Sequence, residues 1–232
     1  MTPPRAPADV GSVVPDTTLP PAPARWYADA LDELHHRLSP TGPVPSPTGH
    51  VVASPAALPA AAPGALARFG VVVSRAASGA ATPSAHPTVP DPVGDGRSTT
   101  IVPVPQAVAE AFATGLLDLH RRLLHEVLRH TLRHLGARTS AGTTLLARQL
   151  VQAQLAEVAI RLAEVDATPP ARRDQDVAAR WRTHRRLVGV GRDLLRLLGA
   201  SGFLVDGPAG DLHLAEVAGN VYLHSGRRQG DG

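Results

Sequence analysis

The sequence predicts a mainly α protein: an up-and-down four-helix bundle over its second half, preceded by a short Pro-rich region that is partly β or irregular. Three observations carry this reading. After position 105, apolar residues recur at three- and four-residue spacing over long stretches, the period of one helix face. Twenty of the 23 prolines fall within the first 105 positions, where long helices cannot form around them. Aromatic residues make up only 3% of the 232-residue chain and Cys is absent, which excludes a disulfide scaffold, a thiolate metal site and a Cys nucleophile.

Residues 1–24 are Pro- and Ala-rich without any period and read as a disordered tail. Residues 25–105 form a reduced N-terminal region. It opens with a short helix over 25–38, whose stripe is Trp26, Ala30, Leu34 and Leu38, followed by a Pro/Gly loop over 39–49. Two β-like runs come next, FGVVVS at 69–74 and TTIVPV at 99–104, which could pair as a hairpin across a long connection.

The bundle spans 106–226, with 227–232 as a tail. Its first helix carries Leu116, Leu119, Leu123, Val127, Leu128, Leu132 and Leu135 and stops at Gly136. A second stripe runs through Leu145, Leu146, Leu150, Leu155, Val158, Leu162 and Val165. Pro169 and Pro170 break it and can start the next helix. That third helix places Trp181, His184, Leu187, Val188, Gly191, Leu194, Leu195 and Leu198 on one side, until Gly199. A shorter helix at about 209–223 closes the chain.

All 23 basic residues are Arg, and guanidinium stays charged at any accessible pH. The pI near 10.4 therefore overstates a net charge of only +3. With basic and acidic residues mixed and few aromatics to stack on bases, nucleic acid is not an expected partner. No apolar run reaches the roughly 18–20 residues of a membrane span. The N-terminus lacks the layout of a signal peptide, so a cytoplasmic protein without membrane contact is expected.

Two ordered clusters carry a more specific signal. Arg138-Thr-Ser-Ala141-Gly142 follows the first long helix, and TTLLAR leads from it to Gln149-Leu-Val151-Gln152-Ala-Gln-Leu155-Ala156-Glu157-Val158. Farther on, Arg196-Leu-Leu-Gly199-Ala200-Ser201-Gly202-Phe203 precedes the last helix and Val221-Tyr222-Leu223-His224-Ser225. In order and spacing these resemble the C-terminal helical domain of the acyl-CoA dehydrogenases. That family reads Arg-x-x-Phe-Gly, a spaced Gln, Val-Gln-x-x-Leu-Ala-(Asp/Glu)-Met, then Gln-x-x-Gly-Gly-x-Gly-Tyr and a catalytic loop Tyr-Glu-Gly-Thr. The likeness covers residues 106–226.

The resemblance implies FAD lying across a subunit interface. Arg138 would meet the pyrophosphate as a charged donor, and Gln149 would hydrogen-bond the cofactor. Gly199 would let backbone approach the adenosine part, with Ala200 and Arg196 departing from the family's Gly and Gln. Ser225 stands where the loop has Thr. The catalytic Glu that removes the α-proton falls on Leu223, which cannot accept a proton. The family's other location for that base, on the first bundle helix, falls on Phe112, with Glu110 on a different face. The family's aromatic cofactor contact is Ala141. Residues 25–105 are too few for the family's N-terminal helical domain and β-barrel.

The implied function is a subunit of a heteromeric FAD-dependent complex with a full-length acyl-CoA dehydrogenase-like partner. The pair would desaturate an acyl thioester on CoA or an acyl-carrier protein, taking a proton from the α-carbon and passing hydride from the β-carbon to flavin. No catalytic residue is expected in this chain. Alternatives are a flavin-dependent monooxygenase of the same fold, which needs no α-proton base, and a non-catalytic scaffold. His120, His125, His130 and His134 are spaced by five, five and four and read as surface histidines, with no metal expected. His224 could act as a base by residue type, or face solvent. Arg121-Arg122, Arg172-Arg173 and Arg185-Arg186 read as solvated helix faces, or as contacts for a phosphate of the CoA or carrier arm.

Overall fold

The computed structural model describes residues 26–58, 61, 64, 66–67, 70–75, 104–169, 176–204 and 207–224. Among these the protein is mainly helical: α1 (Trp26–Leu38), α2 (Gln106–Ala137), α3 (Gln149–Ala167), α4 (Val177–Leu198) and α5 (Ala209–Leu223). Two antiparallel ribbons complete it, β1 (His50–Ala53) with β2 (Val72–Arg75), and β3 (Thr139–Ser140) with β4 (Thr143–Thr144). The tails, the run at 99–103, the connection before it, Arg172-Arg173 and Ser225 lie outside the described residues.

Local chemistry sets the helix ends. α2 runs one residue past Gly136 before Arg138 turns extended. At the start of α4, the Asp176 carboxylate accepts the Ala179 N–H at 2.6 Å. An Asp cap, rather than the proline pair, therefore opens this helix. Gly199 ends α4 at φ +58°, a conformation Gly adopts without Cβ strain. The last helix lies where the sequence puts it.

α2 is the central element and packs against α1, α4 and α5. Phe112, Leu116, Leu119, Leu123, Leu124 and Val127 bury along it, so its apolar surface is wider than one stripe. α3 lies against α4 and contributes Leu155, Val158, Leu162 and Val165. Four leucines of the expected stripes are not core: Leu132 is 38% exposed, Leu150 is 71% exposed, and Leu145 and Leu146 are half-buried in a 3-10 turn that precedes α3 instead of opening it.

The bundle has a fifth helix. Tyr27, Leu31 and Leu34 of α1 share one continuous core with Phe112 and Leu116 of α2 and with Tyr222 and Leu223 of α5. The Asp211 carboxylate, in the first turn of α5, accepts the Tyr27 N–H at 3.2 Å, satisfying one orphan donor at the start of α1. Residues before 105 thus pack as part of the same body.

The strand at Val72–Arg75 pairs with His50–Ala53, in the register His50↔Arg75, Val51↔Ser74, Val52↔Val73 and Ala53↔Val72. Alternation divides this ribbon between two cores. Val52 joins the main one, while Val51, Ala53, Leu58 and Val72 form a small second cluster.

Two polar side chains fasten the N-terminal segment to the helices. The Tyr222 hydroxyl accepts the Val52 N–H and donates to the Val44 carbonyl, both at 3.0 Å. His35 accepts the Val44 N–H on Nδ1 and donates from Nε2 to the Val52 carbonyl, also at 3.0 Å. Burial pushes the Tyr222 phenol well above its ordinary range and the His35 imidazole below its own, so both stay neutral. Tyr222→Phe leaves a buried donor and a buried acceptor unpaired and should cost about 2–3 kcal/mol. Urea denaturation measures this, and a loss too small to resolve would contradict the bridge.

Candidate functional site

The residues matched to cofactor contacts gather around the end of the bundle where α2 and α4 stop. Arg138 follows the last turn of α2, is exposed, and has Nη1 3.5 Å from His134 Nε2. The His134 ring is also 2.9 Å from Ser201 Oγ, and Ser201 stands next to Ala200 in the 3-10 turn Gly199–Phe203. His134 therefore links the Arg138 end of α2 to the turn that closes α4. Partial burial and the Arg138 charge beside it lower the His134 pKa.

Gln149 opens α3 and is exposed. Its position is set by the tight β3–β4 hairpin, where Ala141 and Gly142 take φ +51° and +80°. The Arg148 guanidinium donates to the Ser140 carbonyl at 2.7 Å and ties the hairpin to the start of α3. Gly199 and Ala200 are exposed, and among the described residues, chain neighbours aside, no atom lies within 4 Å of where a Cβ on Gly199 would stand. Among the described residues Arg196 does not join this group through any direct contact. It pairs with Asp193, whose other oxygen takes Arg161 of α3 at 2.6 Å. Ser225 is outside the described residues.

The two positions at which the resemblance places a catalytic base are sealed. Phe112 is 1% exposed and Leu223 is 2% exposed. Phe112 stacks on His35 with ring centroids 4.4 Å apart and meets the Tyr222 ring at 4.8 Å. Residues 112 and 222 are thus neighbours in space, and aromatic packing fills the volume between them. Around these two positions the His35 nitrogens are both committed to backbone, and Glu110 is exposed and bonded to Gln106.

The α2 histidines are not uniformly at the surface. His120 is 2% exposed, and its ring lies 5.7 Å from that of buried His184 on α4. Spacing alone could not show this, because His120 takes an inward position beside Leu119 and Leu123. Burial, with His184 adding a smaller effect, pushes the His120 pKa down to about 3. Burial lowers His184 too, although its Nε2 is 3.3 Å from Asn220 Oδ1. The His184 ring fits against α5 because residue 219 is Gly; a Cβ there would stand 2.0 Å from the imidazole. His125 pairs with Asp166 at 2.9 Å, and exposed His224 meets Trp181 edge-on at 5.0 Å. Among the described residues no three His, Asp or Glu side chains gather as metal ligands.

The paired arginines are partly engaged. Arg121 reaches Asp166 at 2.8 Å and Asp118 at 3.4 Å, so it braces α2 against α3. The Arg185 guanidinium lies 5.9 Å from the Trp181 ring centre, a cation–π placement.

Two expectations follow for the imidazole pair. A histidine whose folded pKa is depressed binds fewer protons folded than unfolded, so its contribution is complete above pH 6.5 and is lost towards about pH 3. Asp211, held up to about 6 by burial, works in the opposite direction between its unfolded value of 3.8 and 6. Comparing wild type with His120→Leu cancels that opposing effect. The variant should lose about 2 kcal/mol less between pH 7 and pH 5, read by urea denaturation at each pH; equal losses would contradict the burial of His120. Gly219→Ala should destabilise by about 2–3 kcal/mol. In a His184→Ala background the same Gly219→Ala change should cost almost nothing, whereas an undiminished cost would place the clash elsewhere. Among the described residues no helix is long and apolar enough to cross a membrane. Comparison with protein-family models, curated proteins and solved structures finds no match in any of the three.

Proposed function

We propose that this chain is an acyl-CoA dehydrogenase-like subunit whose C-terminal bundle closes the FAD site of a full-length partner and performs no proton chemistry itself. The observation that carries the reading is a contrast in burial. Arg138, Gln149, Gly199 and Ala200 stand exposed around one end of the bundle, while Phe112 and Leu223 are packed into its core. A surface that holds a cofactor jointly with another polypeptide must remain open until that polypeptide arrives.

The residues fit such a role. Arg138 offers a guanidinium with no carboxylate against it among the described residues, suited to a pyrophosphate. The open space over Gly199 allows backbone to approach a ligand. Gln149 projects from the first turn of α3, where an amide can donate or accept. FAD, when bound, supplies the hydride acceptor for α,β-desaturation of an acyl thioester on CoA or a carrier protein; the partner supplies the base. This chain's part is to bind and orient, and Arg196, paired with Asp193, stands one turn from Gly199.

The outer face of α3 also suits a partner. Leu150 is 71% and Ile160 59% exposed, with Ala153, Ala156 and Ala163 exposed on the same side. These five fall at three- and four-residue spacing and make an apolar row, with exposed Glu157 and Glu164 between Leu150 and the rest. The face begins beside Gln149, so a subunit seated on it would border the cofactor contacts.

The test is co-expression with the dehydrogenase-like product of a neighbouring gene. Arg138→Ala should lower the flavin retained by the copurified complex about tenfold, the loss of one charge-assisted hydrogen bond. Unchanged flavin content in an intact complex would make the chain a scaffold.

A further inference from the structure

A cleft of about 370 Å³ opens between α2, α4 and α5, at the opposite side of α4 from the groove that holds Arg196. Val188, Leu195 and Leu212 form its walls, and Phe203 stands at its mouth 68% exposed. The Arg192–Glu216 ion pair, at 2.6 Å, lies on its rim. His120 lines it as the most deeply buried polar side chain of the group.

His120 is anomalous on its own terms. Its Nδ1 is buried and has no hydrogen-bond partner among the described residues. Native proteins leave few such atoms, because each forfeits the hydrogen bonds it had in water. His184 does not satisfy it, because no hydrogen bond joins the two rings, and the His184 Nε2 lies 3.3 Å from Asn220 Oδ1. His120 also lines the cleft, so its ring offers a polar contact to a molecule bound there, which a leucine in the same place would not.

We propose that this cleft is a binding site for a small neutral amphiphile, an aromatic or short aliphatic body carrying one hydroxyl, whose body lies between Val188, Leu195 and Leu212 and whose hydroxyl reaches the imidazole of His120. The volume falls in the range of small-molecule sites. The walls favour an apolar body. Burial keeps the imidazole uncharged, which excludes an anion as its natural partner. Arg192 is already neutralised by Glu216. A polypeptide segment fits less well, because the polar group lies beneath the three aliphatic walls, where main chain cannot follow without stranding its own amides. The site is independent of the FAD reading: it uses none of the residues assigned to the cofactor.

The probes are 4-ethylphenol and ethylbenzene, titrated into the full chain and followed by ligand-observed NMR. A purely apolar cleft prefers ethylbenzene, because burying an unpaired hydroxyl is unfavourable. The proposal expects the reverse, with 4-ethylphenol bound about threefold or more tightly than ethylbenzene. His120→Leu should invert that order while the variant remains folded. Leu195→Trp, which fills the cleft from its half-buried edge, should abolish binding of both probes. Absence of binding, a preference for ethylbenzene in wild type, an unchanged preference in His120→Leu, or full binding in folded Leu195→Trp would each overturn the assignment.

Discussion

A helix of 32 residues that buries side chains on more than one side cannot stand without neighbours on each. α2 is such a helix, and the arrangement of the protein follows from covering it. α4 and α5 cover part of its surface, and the remainder needs α1, from the other end of the sequence. With the core closed over Phe112 in this way, α1 leaves no room for a substrate at the point where α2 passes Tyr222.

That closure divides the molecule by chemistry. On one side lies a dry region of rings and aliphatic groups, in which Tyr27, His35, Phe112 and Tyr222 fill space and the two polar tips of His35 and Tyr222 bind backbone. On the other lies the open end formed by the β3–β4 hairpin and the Gly199 turn, where polar side chains and bare backbone face outward. A base for proton abstraction needs space around it, and Phe112 and Leu223 are packed closely among the described residues. A shared cofactor surface needs exposed donors, and the second has them.

Much of this was legible in the sequence. The period of the leucines placed α2, α3 and α4, although Leu145 and Leu146, read as the start of α3, lie in a 3-10 turn before it, and Gly199 marked a real stop because its φ is positive. The last helix needed only Pro208 and the run that follows it. Other features depended on contacts far apart in the chain. Nothing in RWYADALDELHHRL says that its buried face meets residue 112 or that residue 211 caps it. HVVA at 50–53 is too short to show alternation, and its partner lies beyond an irregular stretch of prolines and alanines. His120 sits one residue after Leu119, and the sequence could not say that α4 would bring His184 against it. Leu150 misled in the opposite sense, since it continues a stripe on paper while facing outward in space.

The account turns on the exposed end being half of a flavin pocket. The most direct measurement is the visible absorbance of the purified chain, first alone in excess FAD and then after reconstitution with the proposed acyl-CoA dehydrogenase-like partner, each freed of unbound cofactor. The account predicts a colourless protein alone and a yellow complex that contains both polypeptides. A chain that retains flavin by itself, or a stable complex that never acquires it, would contradict it.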